Sequence, residues 1–399
     1  MSGSTYVCAL SKGKRVWVKQ RTSRPAPPVN VIPATVPPTD LSLDSRITTT
    51  EGLLDLGHCR APDMTPRPGD GQGFPRPANA MPPTGTVRIL VLPFSTRDYE
   101  FSATDLGRLK SALAETRDFY RRVSDGRIEL AFDYADSPQW VRLPGTADDY
   151  NLINKRPQQN NMVMVEEIFR LASASIDFDA YDSVILESTR WSSSGGGQGF
   201  SGERFPAPTG TAKRVNLHFG NAVQNVDTIR HELGHTLFGL EDLYVFLNDR
   251  RPSVPNPTPF YNWDIMSGSG PIEADFSGWN KFLIGWLNGD NVVCRSGEVA
   301  ETTHYLVPPG SMAKPRLLLV PVAPGVTLAI EARMANAYTT VPGALVYLVD
   351  SRIQHGDGPI SSLRAPLNTG ETATMSGYSI RLLDANATGI LVHVGTVKG

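Results

Sequence analysis

Cysteine is scarce. Three residues in 399, Cys8, Cys59 and Cys294, are too few to staple a small disulfide scaffold, and none has the C-x-x-C spacing of a metal knuckle. One disulfide with a free thiol fits this count, and so do three reduced thiols. Net charge is nearly absent as well, with 38 Lys and Arg against 40 Asp and Glu, a formal -2. That balance removes the electrostatic case for nucleic acid or an anionic membrane as partner. No stretch reaches the roughly 18 apolar residues of a transmembrane segment. No basic n-region followed by an apolar h-region opens the chain, so no secretory signal is visible. The expectation is a protein that stays inside or a chain that begins downstream of its natural start. A serine nucleophile has no G-x-S-x-G to support it.

What remains is an ordinary globular composition, 40% hydrophobic, in a length that suits about two domains. The 36 glycines and 32 prolines point to a loop-rich and strand-rich protein. Residues 1–21 read as a short β-hairpin: Tyr6 and Val7, a Lys-Gly-Lys turn, then Val16, Trp17 and Val18. Lys14, Arg15 and Lys19 read as its solvated face. Residues 22–85 hold 13 of the 32 prolines and almost no apolar period, so a loose linker or arm is expected.

A compact unit starts at "TVRILVLPF", a buried strand by its β-branched apolar run. Ser102 and Asp105 suit a capping box, and Leu106, Leu109, Leu113 and Tyr120 fall near a helical period. "RIELAFDY" alternates as a strand, 160–172 reads as a second helix, and "YDSVILES" as another buried strand. "SSSGGGQGFSG" leads into a strand, not a helix N-terminus, so it reads as a flexible surface loop rather than a phosphate cradle. Short strands with Gly, Pro and Asn between them fill 296–399, as in a β-sandwich. The expected fold is α+β: a unit over 86–295 followed by a β-sandwich-like domain over 296–399.

One segment carries chemistry. "RHELGHTLFGLEDLY" contains H-E-x-x-H, which places His231 and His235 on one helix face, a turn apart, able to share a zinc ion. Glu232 beside them is of the type that takes a proton from a zinc-activated water. Two imidazoles leave a catalytic zinc one protein ligand short. Gly239 can turn the chain back, and Asp242, three residues later, is the favoured third ligand, with Glu241 as the lesser alternative. Further on, Met266 in "YNWDIMSGSG" suits the methionine turn that follows such motifs.

These segments resemble the immune inhibitor A family of secreted bacterial zinc metallopeptidases. There the motif typically reads H-E-x-G-H-x-L-G-L-x-D-L-Y, and this chain differs by one extra residue, Phe238. The resemblance extends to "WDIMSG", to "FSGWNKFLIGWL" and back to "DFDAYDSVIL" and "RDFYRRVSDGRIEL". It implies a zincin-like, metzincin-type catalytic domain and a secreted or cell-surface location. The implied activity is hydrolysis of a protein or peptide substrate, with Asp242 on the family's aspartate ligand. The hairpin resembles the end of a wall-exposed module of secreted actinobacterial proteins. A monomer is expected. The competing reading is a non-catalytic, surface-attached binding protein that keeps the zincin fold, against which the intact Glu232 speaks.

Smaller expectations complete the reading. Asp177, Asp179 and Asp182 suit a turn before a strand, with a structural Ca2+ as the alternative. His218, on the strand before the motif helix, reads as a structural histidine, with a substrate contact as the lesser alternative. Extended substrate is expected to pair with an edge strand at "RVNLHFG". Tyr261 is the candidate for stabilising an oxyanion.

Overall fold

A computed structural model describes residues 6–11, 14–19, 49–66, 71–150, 160–188, 196–200, 214–219, 226–245, 260, 263–267, 275–334, 342–354, 356–363 and 365–397. At the N-terminus β1 (Tyr6–Ser11) pairs antiparallel with β2 (Lys14–Lys19).

The β-branched runs build the first sheet. Its strands are β3 (Gly85–Ser95), β4 (Ile128–Tyr134), β5 (Val141–Arg142), β6 (Ser183–Ser188), β7 (Gly196–Phe200) and β8 (Arg214–Phe219). The order is β4-β3-β6-β8-β7, with β5 also on β3. Every pair is parallel except β7 on β8. Parallel neighbours need crossovers, and helices α1 (Ala103–Val123) and α2 (Asn160–Ala172) lie in them. Ser102 and Asp105 form the full capping box at the start of α1. Leu90, Leu92, Val184 and Leu186 pack with Met164 and Ile168 of α2. Ile89, Val91 and Ile185 turn to the other face, with α1 and α3 (Val226–Phe238). Helices on both faces of a largely parallel sheet make this layer mixed α/β rather than the expected α+β.

Beyond α4 (Gly278–Ile284) the chain forms two further sheets. The five-stranded one comprises β9 (Val292–Cys294), β11 (Leu317–Ala323), β12 (Val326–Arg333), β13 (Gly343–Asp350) and β14 (Ile360–Ser362). The four-stranded one comprises β10 (Glu301–Leu306), β15 (Thr372–Met375), β16 (Tyr378–Asn386) and β17 (Gly389–Thr396). Leu328, Ile330 and Val346 share a core with Ile380, Leu382 and Val392 across the two sheets. The opposite face of the five-stranded sheet, through Leu317, Ala329 and Tyr347, joins the core that holds α1, α3 and α4. Every residue of β12 is therefore buried. β9 pairs parallel with β11, so the boundary expected at 295 falls at the end of a strand of this second sheet.

The proline-rich arm is tied down wherever it is described. Cys59 is disulfide-bonded to Cys294. The Phe74 ring meets Trp279 at 6.0 Å and Phe282 at 5.2 Å. Trp279 donates to the Gln72 carbonyl at 2.9 Å and Trp286 to the Pro83 carbonyl at 3.0 Å. Of the two alternatives expected for 22–85, a linker or an arm, these contacts fit an arm packed on the body over 49–66 and 71–84. Proline removes a donor but keeps its carbonyl, and here the partners come from the distant segment around α4.

His304 of β10 is fully buried, and neither ring nitrogen finds a hydrogen-bond partner among the described residues. Burial, then the charges of Arg295 and His393, push its pKa down to about 4. The unfolded chain takes up that proton near pH 6.5. This contribution is fully present above 6.5 and is lost as pH falls towards 4, by about 3 kcal/mol in all. Denaturant unfolding at pH 7 and pH 4 should therefore show a smaller acid loss for His304→Leu than for wild type. Equal losses would refute the account.

Candidate metal centre

The motif helix α3 is placed by close packing. Met266 lies directly against it: a Cβ on Gly234 would stand 2.5 Å from the Met266 sulfur. Met266 is fully buried in a short 3-10 turn, Ile265–Ser267. Phe238 is the last residue of the helix and is fully buried, 5.9 Å from the Tyr120 ring and 5.1 Å from Trp286. The next residue, Gly239, has φ +61, where a side chain would be strained, and packs on Pro77 of the arm. The arm also caps the helix end, since Met81 donates its amide to the Leu237 carbonyl at 2.6 Å. The chain then reverses and returns Asp242 to the histidines.

Three donor atoms converge. His231 Nε2 lies 3.0 Å from Asp242 Oδ1, His235 Nε2 lies 3.2 Å from the same oxygen, and the two nitrogens are 3.1 Å apart. A zinc ion at about 2.0–2.1 Å from each ligand needs ligand separations of roughly 3.3 Å. The far nitrogens fix the tautomers: His231 Nδ1 donates to the Ile265 carbonyl at 2.8 Å and His235 Nδ1 to the Leu240 carbonyl at 2.5 Å. Each Nε2 then presents a lone pair to the carboxylate. Three acceptors at this spacing repel unless a proton or a cation lies among them. Two imidazoles and a carboxylate suit zinc, so this group can hold a metal ion.

The metal-free electrostatics say the same. Burial lowers the affinity of His235 for a proton, but Asp242, with Glu232 and Glu241, raises its pKa to about 10. Burial pushes the Asp242 carboxyl up, yet the facing imidazoles hold it well below the usual carboxylate range. The site traps positive charge.

Glu232 is buried beside this triad, and the edge strand β7 presses on it. A Cβ on Gly197 would stand 2.4 Å from Glu232 Cγ, and one on Gly199 2.7 Å from Thr236 Oγ1. The glycine-rich stretch expected as a flexible loop is thus a strand over 196–200, and its small residues let the backbone lie on the helix. β7 also covers β8, so the expected edge at "RVNLHFG" is interior. His218, opposite Gly197 in register, faces α3 and is fully buried, paired at 3.0 Å with the equally buried Glu187. That burial removes it as a substrate contact.

Of the remaining expectations, Glu241 does not belong to the converging group. Asp177 accepts the amide of Asp179 and Asp182 the amide of Arg88, so these carboxylates serve a turn and a strand and do not converge on a Ca2+ ion. Tyr261 lies outside the described residues. Sequence reading missed Tyr244. Its ring stacks on His231 at 6.3 Å and its hydroxyl bonds to Asp242. Burial, then Asp242 and Glu232, push its pKa well up, so the phenol keeps its proton. The signal was its place two residues after Asp242, as the last residue of the quoted motif.

No family model and no curated protein matches the chain. Among solved structures it is similar to wild-type OgpA from Akkermansia muciniphila, at 12% identity over 84% of this chain and 96% of that one, with a TM-score of 0.29. It is also similar to catalytically inactive OgpA from the same organism, in complex with an O-glycopeptide substrate. That match has 11% identity, the same coverages and a TM-score of 0.29. Likeness at this level carries nothing about the chemistry of the centre, which rests on the chain's own residues.

Two outcomes are expected. Zinc uptake must displace the proton held near His235 up to about pH 10, so apparent affinity should rise about tenfold per pH unit between pH 6 and 9. Calorimetry in buffers of different ionisation enthalpy should show about one proton released per ion, and no release would refute it. After dialysis against a mild chelator, Asp242→Ala should lose its zinc while Glu241→Ala keeps one equivalent. The reverse pattern would move the third ligand to Glu241.

Proposed function

We propose that the chain is a zinc metalloendopeptidase that hydrolyses peptide bonds of extracellular proteins. The observation that carries the reading is the triangle of donors at 3.0–3.2 Å with the buried carboxylate of Glu232 on the same helix. His231, His235 and Asp242 would hold the ion. A zinc ion there supplies a Lewis acid and a water acidic enough to lose its proton near neutral pH.

The chain's own groups do the rest. Glu232 accepts a proton at its carboxylate and returns it to the leaving amine nitrogen. Tyr244 orients Asp242 and keeps a phenolic proton beside the centre. The outer edge of β7 offers backbone groups to an extended peptide, and Gly197 and Gly199 keep that edge next to Glu232. We read 86–295 as a zincin-like unit with Met266 in its methionine turn, and 296–399 as a β-sandwich domain packed on it. The mostly parallel sheet with one antiparallel edge strand over the motif helix supports this. The Cys59–Cys294 disulfide supports an oxidising, extracytoplasmic location.

Glu232→Gln is the test. The amide nearly matches the carboxylate in shape but accepts no proton. Hydrolysis of an unfolded protein substrate should fall by about 10²–10⁴ while one zinc per chain is retained. Activity above about a tenth of wild type would rule Glu232 out as the base. The wild-type activity should itself vanish with a chelator and return with zinc.

A further inference from the structure

The segment that carries Met266 holds two of the three donor residues in place. The Ile265 carbonyl accepts from His231 Nδ1 at 2.8 Å, and the Met266 carbonyl accepts from the Leu243 amide at 2.9 Å, next to Asp242. A shift of this turn therefore moves both an imidazole and the carboxylate.

The turn is braced from inside by Asp264, which is 1% exposed. Asp264 Oδ1 accepts the Met266 amide at 2.8 Å, and Oδ2 accepts the Ser277 amide at 2.7 Å and Asn280 Nδ2 at 2.8 Å. The Asp275 carbonyl accepts from the Ile265 amide at 3.0 Å. These bonds tie the turn to the start of α4, but all of them lie within 263–280. Something outside must fix that unit against the body.

The arm holds one side of it, through Gln72 and Phe74 on Trp279, and β12, more than 50 residues later, holds both of its ends. Arg333 Nη2 donates to the Trp263 carbonyl at 3.0 Å and to Glu331 Oε1 at 3.1 Å. Glu331 Oε2 accepts the Gly278 amide at 2.9 Å, at the first residue of α4. Tyr347 of β13 accepts the Trp279 amide at 3.1 Å. Arg333 and Glu331 are 7% and 2% exposed. A buried ion pair is a poor device for stability alone, because desolvation offsets much of its attraction. A pair that grips both ends of one segment is a device for position.

We propose that Arg333 and Glu331 are positioning residues of the metal centre, which makes the C-terminal sheet part of the site rather than an appended domain. They act through Trp263 and Gly278 on the turn, and through the turn on His231 and Asp242. The zinc arm of the test rests on the metal reading above. The other arm does not.

The test compares wild type, Arg333→Met, the double variant Arg333→Met with Glu331→Leu, and Val392→Ala. Val392 is buried between the two C-terminal sheets, away from the turn, and its variant controls for lost stability. The double variant removes the unpaired charge that Arg333→Met leaves behind and should recover melting temperature. Two quantities are read: zinc Kd, and hydrogen exchange of the His231 Nδ1 proton by NMR on the metal-free protein. Both Arg333 variants should bind zinc about 10–100-fold more weakly, as for removal of groups that orient ligands. They should also exchange the His231 proton at least about tenfold faster. Val392→Ala should change neither. The proposal is overturned if the Arg333 variants stay within about twofold of wild type in exchange, or if Val392→Ala shifts exchange equally. If wild type binds no zinc, the metal reading fails, and the exchange measurement still decides the positioning role.

Discussion

Three donor groups drawn to one point set the terms for the rest of the molecule. His231, His235 and Asp242 would repel one another at about 3 Å in the absence of a cation or a shared proton. They stay together because each is held from behind. The two Nδ1 atoms are tied to the carbonyls of Ile265 and Leu240, and the Leu243 amide is tied to Met266. All three anchors belong to turns rather than to the motif helix. The helix sets the spacing of the imidazoles, and the turns set where their lone pairs point.

Those turns are themselves held by parts of the chain far from the motif. The arm caps α3 through Met81 and packs Pro77 on Gly239. The disulfide fixes the arm to β9. Glu331 and Arg333 grip the segment between Trp263 and Gly278. Phe238 fits the same scheme. It lengthens the helix into an aromatic core with Tyr120 and Trp286, and Gly239 absorbs the change of direction.

Much of the layout was legible from local pattern. The long apolar run of β3, the capping box of α1 and the short C-terminal strands follow from residue type and period, which act over a few neighbours. The donor set was legible because its members lie within 12 residues and one helical turn relates two of them. The glycine-rich strand was not. Glycine disfavours a strand by itself, and β7 exists because a helix presses against it and leaves no room for side chains. The burial of His218 was not legible either, because exposure depends on what covers a residue.

The sequence by itself determined the candidate donor set: two histidines and an aspartate at spacings that a helix and one glycine turn can bring to a point. Periodicity and ligand spacing are local properties, and a single chain carries them openly. Only the tertiary structure decided that the proline-rich arm is a clamp, that the second sheet is buried on both faces, and that Arg333 reaches the turn behind His231. Those depend on groups brought together across tens to hundreds of residues. Their energy comes from mutual burial and from hydrogen bonds completed at a distance, which no local pattern encodes.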